Sequence, residues 1–203
     1  YVACINIVLS SFGMSAESSS LSFQQKNVIL IVPDGCSTAV WGMVRALTVG
    51  ARGQLNIDKL PVQSRCRTYA ANSIITDSAA SGTALACGVK TNNGIIGMDA
   101  STVRGDSLSG QPIESILESA EAAGFATGLI TTTTIQHATP AAFYSHRADR
   151  NWYTLIATDL VESGIDVVIG GGREYMIPRG SRDGSGGQSL RRDNRNLIDE
   201  MIA

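Results

Sequence analysis

The first long aliphatic run of the chain is Val28-Ile29-Leu30-Ile31-Val32, and Pro33-Asp34-Gly35 follows it directly. A continuous run of this kind is typical of a strand that is buried on both faces in a parallel sheet. Asp34 would then lie at the carboxyl end of the strand, the edge at which open α/β sheets place their ligands and reactive groups. The stretch therefore predicts a core strand that ends in a functional carboxylate.

Strand-forming and helix-forming segments alternate along the rest of the chain. A helix is predicted from about Thr38 to Thr48, where Val40, Val44 and Leu47 recur at helical spacing. Further strands are predicted at 64–70, 125–131 and 165–169, and further helices at 112–123, from 141, at 152–163 and from 194. This alternation indicates an α/β fold around a mostly parallel sheet.

The composition excludes several classes of protein. The 203 residues are 43% hydrophobic and 17% charged, which suits a folded domain and not a disordered chain. A net charge of −2 gives no positive field for nucleic acid. No stretch reaches about 18 consecutive apolar residues, the length of a transmembrane helix. Of the four cysteines, Cys4 lies in the N-terminal segment. The other three, Cys36, Cys66 and Cys87, match no zinc-site spacing and are predicted to be small buried side chains.

The N-terminal segment has features of a secretory signal. Residues 2–9 are mainly apolar, small residues follow as far as Ala16, and Glu17 begins a polar stretch. The initiator Met and a basic region are both missing, so we interpret residues 1–16 as the remnant of a signal peptide. The alternative is an N-terminal arm. Residues 17–203 are predicted to belong to a single catalytic domain.

Ser78 follows an aspartate and precedes a run of small residues, Ala79-Ala80-Ser81-Gly82-Thr83-Ala84. A serine in the first turn of such a helix faces incoming anions together with backbone N–H groups and the positive end of the helix dipole. Small neighbours let a bulky anion come close to the backbone. The alternative is structural, because serine is a good helix N-cap and small residues pack helices closely.

Residues 76–84, continued by residues 87–94, closely resemble the active-site segment of alkaline phosphatases. Three further segments agree in order with motifs of that family, namely residues 27–35, 131–140 and 166–172. The resemblance covers about residues 27–175, and its motifs are long and collinear. It implies the three-layer α/β/α sandwich of the family, of which this chain would be the N-terminal part.

The resemblance implies that Ser78 is the nucleophile and also a zinc ligand. A serine hydroxyl needs activation near neutral pH, and a metal ion supplies it by lowering the pKa of the alcohol. Asp34 would bridge a zinc ion and a nearby magnesium ion, since both accept a carboxylate. Considered alone, Asp34 is a turn residue after Pro33.

Arg150 stands at the position of the phosphate-binding arginine of the family. A guanidinium group matches two phosphate oxygens and spreads charge over the transition state. Arg147 is the competing candidate, and it is disfavoured only by its register with the family. Considered alone, either arginine is an ordinary solvent-facing side chain.

His137 and Thr139 match the magnesium-site pair of the family. Because magnesium prefers oxygen ligands to imidazole, His137 could contact the ion through water, or zinc could compete at this site. A lone histidine before Ala-Thr-Pro is otherwise a helix-capping or buried structural residue. His146 is interpreted as structural.

The resemblance implies a metal-dependent phosphate monoester hydrolase that acts through a phosphoserine, with zinc and magnesium as cofactors. It would act on small phosphate monoesters outside the cytoplasm, and a homodimer is compatible with it. A phosphodiesterase or sulfatase-like relative on the same fold is the nearest alternative enzyme, although these usually have Thr or a modified Cys in place of Ser78. Family members are longer and take further zinc ligands from their second half. Another alternative is therefore an incomplete portion that only binds phosphate or metal.

Overall fold

The computed structural model describes residues 6–10 and 27–202. The chain divides into two compact units, with the boundary between Thr68 and Tyr69. Only residues 6–10 of the predicted signal remnant, residues 1–16, lie within the described part, so the assignment of that segment stays a prediction. In the described residues, no helix has the length and apolar character needed to cross a membrane.

The first unit contains a two-stranded antiparallel sheet. Strand β1 (Asn6–Ser10) pairs with strand β2 (Asn27–Ile31). The sequence correctly predicts a strand at β2, but the prediction that it is buried in a parallel sheet is wrong. Val28 is 59% exposed, because the described residues of this unit provide an antiparallel neighbour and no layer that covers both faces.

Helix α1 (Thr38–Thr48) begins and ends where the sequence predicts. Arg45 of this helix forms a two-pronged ion pair with Asp58, with its Nη2 atom 2.6 Å from Oδ1 and its Nε atom 3.2 Å from Oδ2. Asp58 belongs to a short 3-10 helix, Asn56–Lys59. Asp34 lies in the turn after β2 and is exposed. The predicted strand at residues 64–70 is wrong, since only Ala70 forms an isolated bridge, to Ser73.

The second unit contains the parallel strands that define the α/β class. Strand β3 (Gly128–Thr134) pairs in parallel with strand β4 (Val167–Gly171), and Ile130 lies opposite Ile169. Each strand begins two or three residues later than predicted. Asp166 fixes the start of the pairing, because its Oδ2 atom accepts a hydrogen bond from the Thr127 backbone N–H at 2.8 Å.

Five α-helices occur in the described part of this unit: α2 (Ser78–Cys87), α3 (Ile116–Ala122), α4 (Ala138–Ala141), α5 (Tyr153–Glu162) and α6 (Leu197–Ile202). Helix α3 begins later than the predicted start at Pro112. The reason is a reciprocal cap in which the Ser115 N–H donates to Glu118 at 2.7 Å and the Glu118 N–H donates to Ser115 Oγ at 3.1 Å. The helix predicted to begin at Ala141 instead ends there.

Small residues let helix α2 pack closely against helix α4. Ala79, Ala80 and Ala138 are almost completely buried. A Cβ atom at Gly82 would lie 3.1 Å from the Ala142 Cβ atom and 3.5 Å from the Thr139 Cα atom. The small-residue run therefore brings the beginning of α4 against the helix that starts at Ser78.

Three of the four cysteines lie in the described residues, and none of these three forms a disulfide there. Cys66 is exposed, whereas Cys36 and Cys87 are half-buried, so the prediction of buried cysteines is wrong for Cys66. Burial, helped by the negative charge of Glu118, raises the pKa of Cys87 to about 11. Cys87 is therefore a neutral thiol at physiological pH.

Candidate active site at the N-terminus of helix α2

Ser78 is the first residue of α2, and Asp77 caps the helix. The Oδ1 atom of Asp77 accepts a hydrogen bond from the Ala80 backbone N–H at 2.9 Å. Ser78 is half-buried, and its hydroxyl forms no hydrogen bond within the residues that the structure describes. The prediction that Ser78 occupies the first helical turn is confirmed. The hydroxyl consequently stands at the positive end of the helix dipole.

The second carboxylate oxygen of Asp77 binds two other parts of the chain. Its Oδ2 atom accepts from the Gly94 backbone N–H at 2.9 Å and from Arg150 Nη1 at 3.1 Å. One carboxylate thus caps the helix of Ser78 and holds the guanidinium group of Arg150. In the sequence Asp77 stands out only as the neighbour of Ser78, because the residues that reach its Oδ2 atom are 17 and 73 positions away.

Arg150 lies beside Asp77 and His137. Its Nη2 atom is 3.3 Å from His137 Nε2, and its backbone N–H donates to the Gly94 carbonyl oxygen at 2.8 Å. Its side chain is 19% exposed, so the guanidinium group is partly withdrawn from water.

Arg147, the competing candidate, is engaged elsewhere. Its Nε atom donates to Asp159 Oδ2 at 2.8 Å, and its Nη2 atom contacts the other oxygen of the same carboxylate. Its backbone pairs with that of Ile96. The two arginines therefore have different carboxylate partners, and Arg150 has the one adjacent to Ser78.

His137 and Thr139 stand at the start of α4. His137 precedes the helix in an extended conformation, and its N–H donates to the Thr134 carbonyl oxygen at 2.9 Å. Both residues are half-buried. His137 contacts Arg150, which binds the capping Asp77. Thr139 packs against Gly82 of helix α2.

Side chains that could bind a metal ion are sparse in the described residues. Among residues 6–10 and 27–202, no group of three or more His, Cys, Asp or Glu side chains is arranged to hold a metal ion. The side chains at the start of α2 and at the start of α4 that could bind a metal ion are the His137 imidazole and the hydroxyls of Ser78 and Thr139. The Asp77 carboxylate already accepts hydrogen bonds from the backbone N–H groups of Ala80 and Gly94 and from Arg150. Asp34 belongs to the first unit.

His146, predicted to be structural, fastens α3 to the loop before it. Its Nδ1 atom is 2.7 Å from the Gly97 carbonyl oxygen, and its Nε2 atom is 2.8 Å from Glu118 Oε1. Burial opposes protonation of the ring, but the hydrogen bonds to Glu118 and Gly97 outweigh it and raise the pKa of His146. Burial similarly opposes ionisation of Glu118, yet His146 and the Ser115 N–H lower its pKa.

This pair predicts a pH-dependent stability. The raised pKa of His146 means that its contribution is complete below the ordinary value of 6.5 and is lost as the pH rises through the raised value. The lowered pKa of Glu118 means that its contribution is complete above 4.5 and is lost at lower pH. We therefore expect the stability advantage of the wild-type protein over a His146→Gln variant to shrink between about pH 6 and about pH 9.

Urea unfolding of both proteins at the two pH values measures this difference. Because glutamine does not titrate, the variant serves as the reference at each pH. An advantage that stays constant across the range would show that the ion pair does not form in solution.

Comparison with known proteins identifies the family. The alkaline phosphatase family model matches residues 25–203. The chain is 37% identical to the alkaline phosphatase of Gadus morhua, covering 87% of this chain and 43% of that protein. It is also 37% identical to the human tissue-nonspecific isozyme, covering 78% of this chain and 35% of that protein.

A solved structure has the same architecture. Alkaline phosphatase from the Antarctic bacterium TAB5 matches with a TM-score of 0.64 and 28% identity, over 79% of this chain and 41% of the other. A variant of that enzyme, with a histidine replaced by aspartate, has Mg bound in its M3 site. The chain spans less than half the length of these relatives. Because the family model matches nearly nine-tenths of its residues, the chain belongs to the alkaline phosphatase family.

Proposed function

We propose that this chain supplies the nucleophile and the phosphate-binding arginine of a phosphate monoester hydrolase that forms a phosphoserine. The observation that carries the proposal is the position of Ser78 at the N-terminus of α2, where Asp77 holds Arg150 next to it. Helix N-termini favour anions, and a guanidinium group favours phosphate oxygens. The family of the chain supports the same chemistry.

The reaction divides into two displacements at phosphorus. Ser78 Oγ forms a bond to phosphorus as the ester oxygen leaves with a proton, and water then displaces the serine oxygen to release inorganic phosphate. Arg150 stabilises the charge on the phosphoryl oxygens. Its guanidinium group has five N–H donors, so the contacts with Asp77 and His137 leave others for the substrate.

We assign the zinc ligands of this chain to Asp34 and Ser78, and the magnesium ligands to Asp34, His137 and Thr139. When bound, zinc would lower the pKa of the serine hydroxyl and make it a better nucleophile. The donor types fit these ions, but they complete neither coordination shell. We propose that the enzyme acts outside the cytoplasm and that its substrates are small phosphate monoesters. A homodimer is compatible with this proposal.

Trapping the phosphoenzyme tests the proposal. The full-length protein that contains this chain is incubated with radiolabelled inorganic phosphate at acidic pH, quenched and digested, and the labelled peptide is sequenced. We expect the label on Ser78. A protein that hydrolyses phosphate esters while carrying its label on another residue would contradict the assignment.

Exchange of His137 for aspartate is expected to tighten magnesium binding by about tenfold, because a carboxylate suits magnesium better than an imidazole does. Titration of the metal-stripped full-length enzyme with magnesium, followed by activity and by calorimetry, measures the change. His137→Asn is the matched control, since asparagine has nearly the same shape as aspartate but carries no charge. Identical magnesium responses in the wild-type protein and the Asp variant would place His137 away from the ion.

A further inference from the structure

Asn93 lies on the loop that follows α2 and returns to the beginning of that helix. Its Oδ1 atom accepts a hydrogen bond from the Asp77 backbone N–H, and its Nδ2 atom donates to the Ile75 carbonyl oxygen, both at 2.9 Å. One side-chain amide therefore binds the backbone on both sides of Thr76. An amide can do this because it has both a donor and an acceptor.

The next residue, Gly94, binds the two charged groups of the site. Its N–H donates to Asp77 Oδ2 at 2.9 Å, and its carbonyl oxygen accepts from the Arg150 backbone N–H at 2.8 Å. Gly94 is buried and has a φ of +85°. That backbone conformation is strained for residues with a Cβ atom, so the loop favours glycine here.

Asn93 is itself held in place from the other side. Its backbone N–H donates to Asn72 Oδ1 at 3.0 Å. Asn72 lies in the segment that leads to Ser78. Both the backbone and the side chain of Asn93 therefore form hydrogen bonds with that segment. The contacts form a continuous path from Asn72 through Asn93 to Asp77.

We propose that Asn93, together with Gly94, is the positioning element that sets the distance between Ser78 and Arg150. These residues are 72 positions apart in sequence, and residues 93 and 94 bind the backbone of Asp77, its carboxylate and the backbone of Arg150. Misplacement of a catalytic group by about 1 Å can cost about a hundredfold in rate. The proposal rests on the function proposed above, and it gives Asn93 a role through other residues without contact with substrate.

The test compares two neighbouring asparagines in the full-length enzyme. Asn93→Ala removes both contacts with the nucleophile segment. Asn92→Ala is the matched control, because Asn92 is equally half-buried and its Nδ2 atom donates only to the carbonyl oxygens of Ala100 and Thr102. Asn93→Asp, which has nearly the same shape and keeps only the acceptor, is a second variant in case the alanine variant does not fold.

We expect Asn93→Ala to lower kcat/KM and to weaken inhibition by inorganic phosphate, each by about tenfold to a hundredfold, with Asn93→Asp changing both in the same direction. Asn92→Ala should change neither by more than about twofold. In the Arg150→Ala background, Asn93→Ala should weaken phosphate binding little further, because its effect passes through that arginine. A purely structural role would instead give additive losses.

Two kinds of failure can be told apart. If the wild-type enzyme hydrolyses phosphate esters and Asn93→Ala behaves as Asn92→Ala does, or if its effect adds fully to that of Arg150→Ala, the positioning role is overturned and the proposed function stands. If the wild-type protein neither hydrolyses a phosphate ester nor binds inorganic phosphate, the proposed function fails and the positioning role fails with it.

Discussion

Replacement of Ser78 by alanine is expected to reduce turnover of a chromogenic phosphate ester by about a thousandfold or more and to abolish phosphoserine labelling. Removal of a nucleophile removes the covalent route itself, and losses of this size or larger are typical of catalytic serines. Inorganic phosphate should still bind, because Arg150 and the backbone N–H groups at the start of α2 remain. Steady-state kinetics, labelling and phosphate inhibition of the full-length protein measure the three quantities.

Ser81→Ala provides the matched control for this experiment. Ser81 lies one turn along the same helix, and its hydroxyl donates to the Asp77 carbonyl oxygen at 2.8 Å, so it contributes to the local structure. The control should keep its label and lose far less activity. If Ser78→Ala kept wild-type turnover, or if Ser81→Ala lost the label instead, Ser78 would not be the nucleophile.

Replacement of Arg150 by alanine is expected to weaken phosphate binding by about tenfold to a hundredfold and to slow hydrolysis without abolishing it. Hydrogen bonds to a charged group contribute about 1.5–3 kcal/mol, and 1.4 kcal/mol corresponds to about a factor of ten. Arg150→Lys should recover part of the loss, since lysine keeps the charge but not the planar pair of donors. The inhibition constant of inorganic phosphate reports the effect directly.

Arg147→Ala separates this effect from a general loss of stability. The variant loses the paired hydrogen bonds to Asp159, so its melting temperature should fall while its affinity for phosphate stays the same. The opposite pattern, in which Arg147→Ala weakens phosphate binding and Arg150→Ala does not, would show that the wrong arginine has been assigned.

Local signals in the sequence predict the elements that depend on neighbouring residues. Helix α2 begins at Ser78 as predicted because the capping aspartate and the small residues lie next to each other. Strand β2 is predicted equally well as a strand, but its pairing and burial are not, because these depend on residues distant in sequence. The start of α3 is missed because Pro112 and Ser115 are both good helix starts, and only the reciprocal contact with Glu118 favours the second.

The candidate site divides in the same way. Residue type and register with a known family identify Ser78, Arg150, His137 and Thr139 as candidates. Their connections are not visible in the sequence, since the Asp77 carboxylate joins residues far apart along the chain. Asn93 lies in the motif that resembles the family. The hydrogen bonds of its amide with Ile75 and Asp77 become visible only in the structure.

The two oxygens of Asp77 link the capping of a helix to the proposed chemistry at one position. One oxygen caps a helix by accepting a hydrogen bond from a backbone N–H in its first turn, which supports the fold. The other oxygen binds a guanidinium group, which supports the proposed chemistry. A change at this residue therefore incurs both losses together. Directed evolution for heat resistance and directed evolution for speed would meet the same constraint here, and neither could relax it by a single exchange.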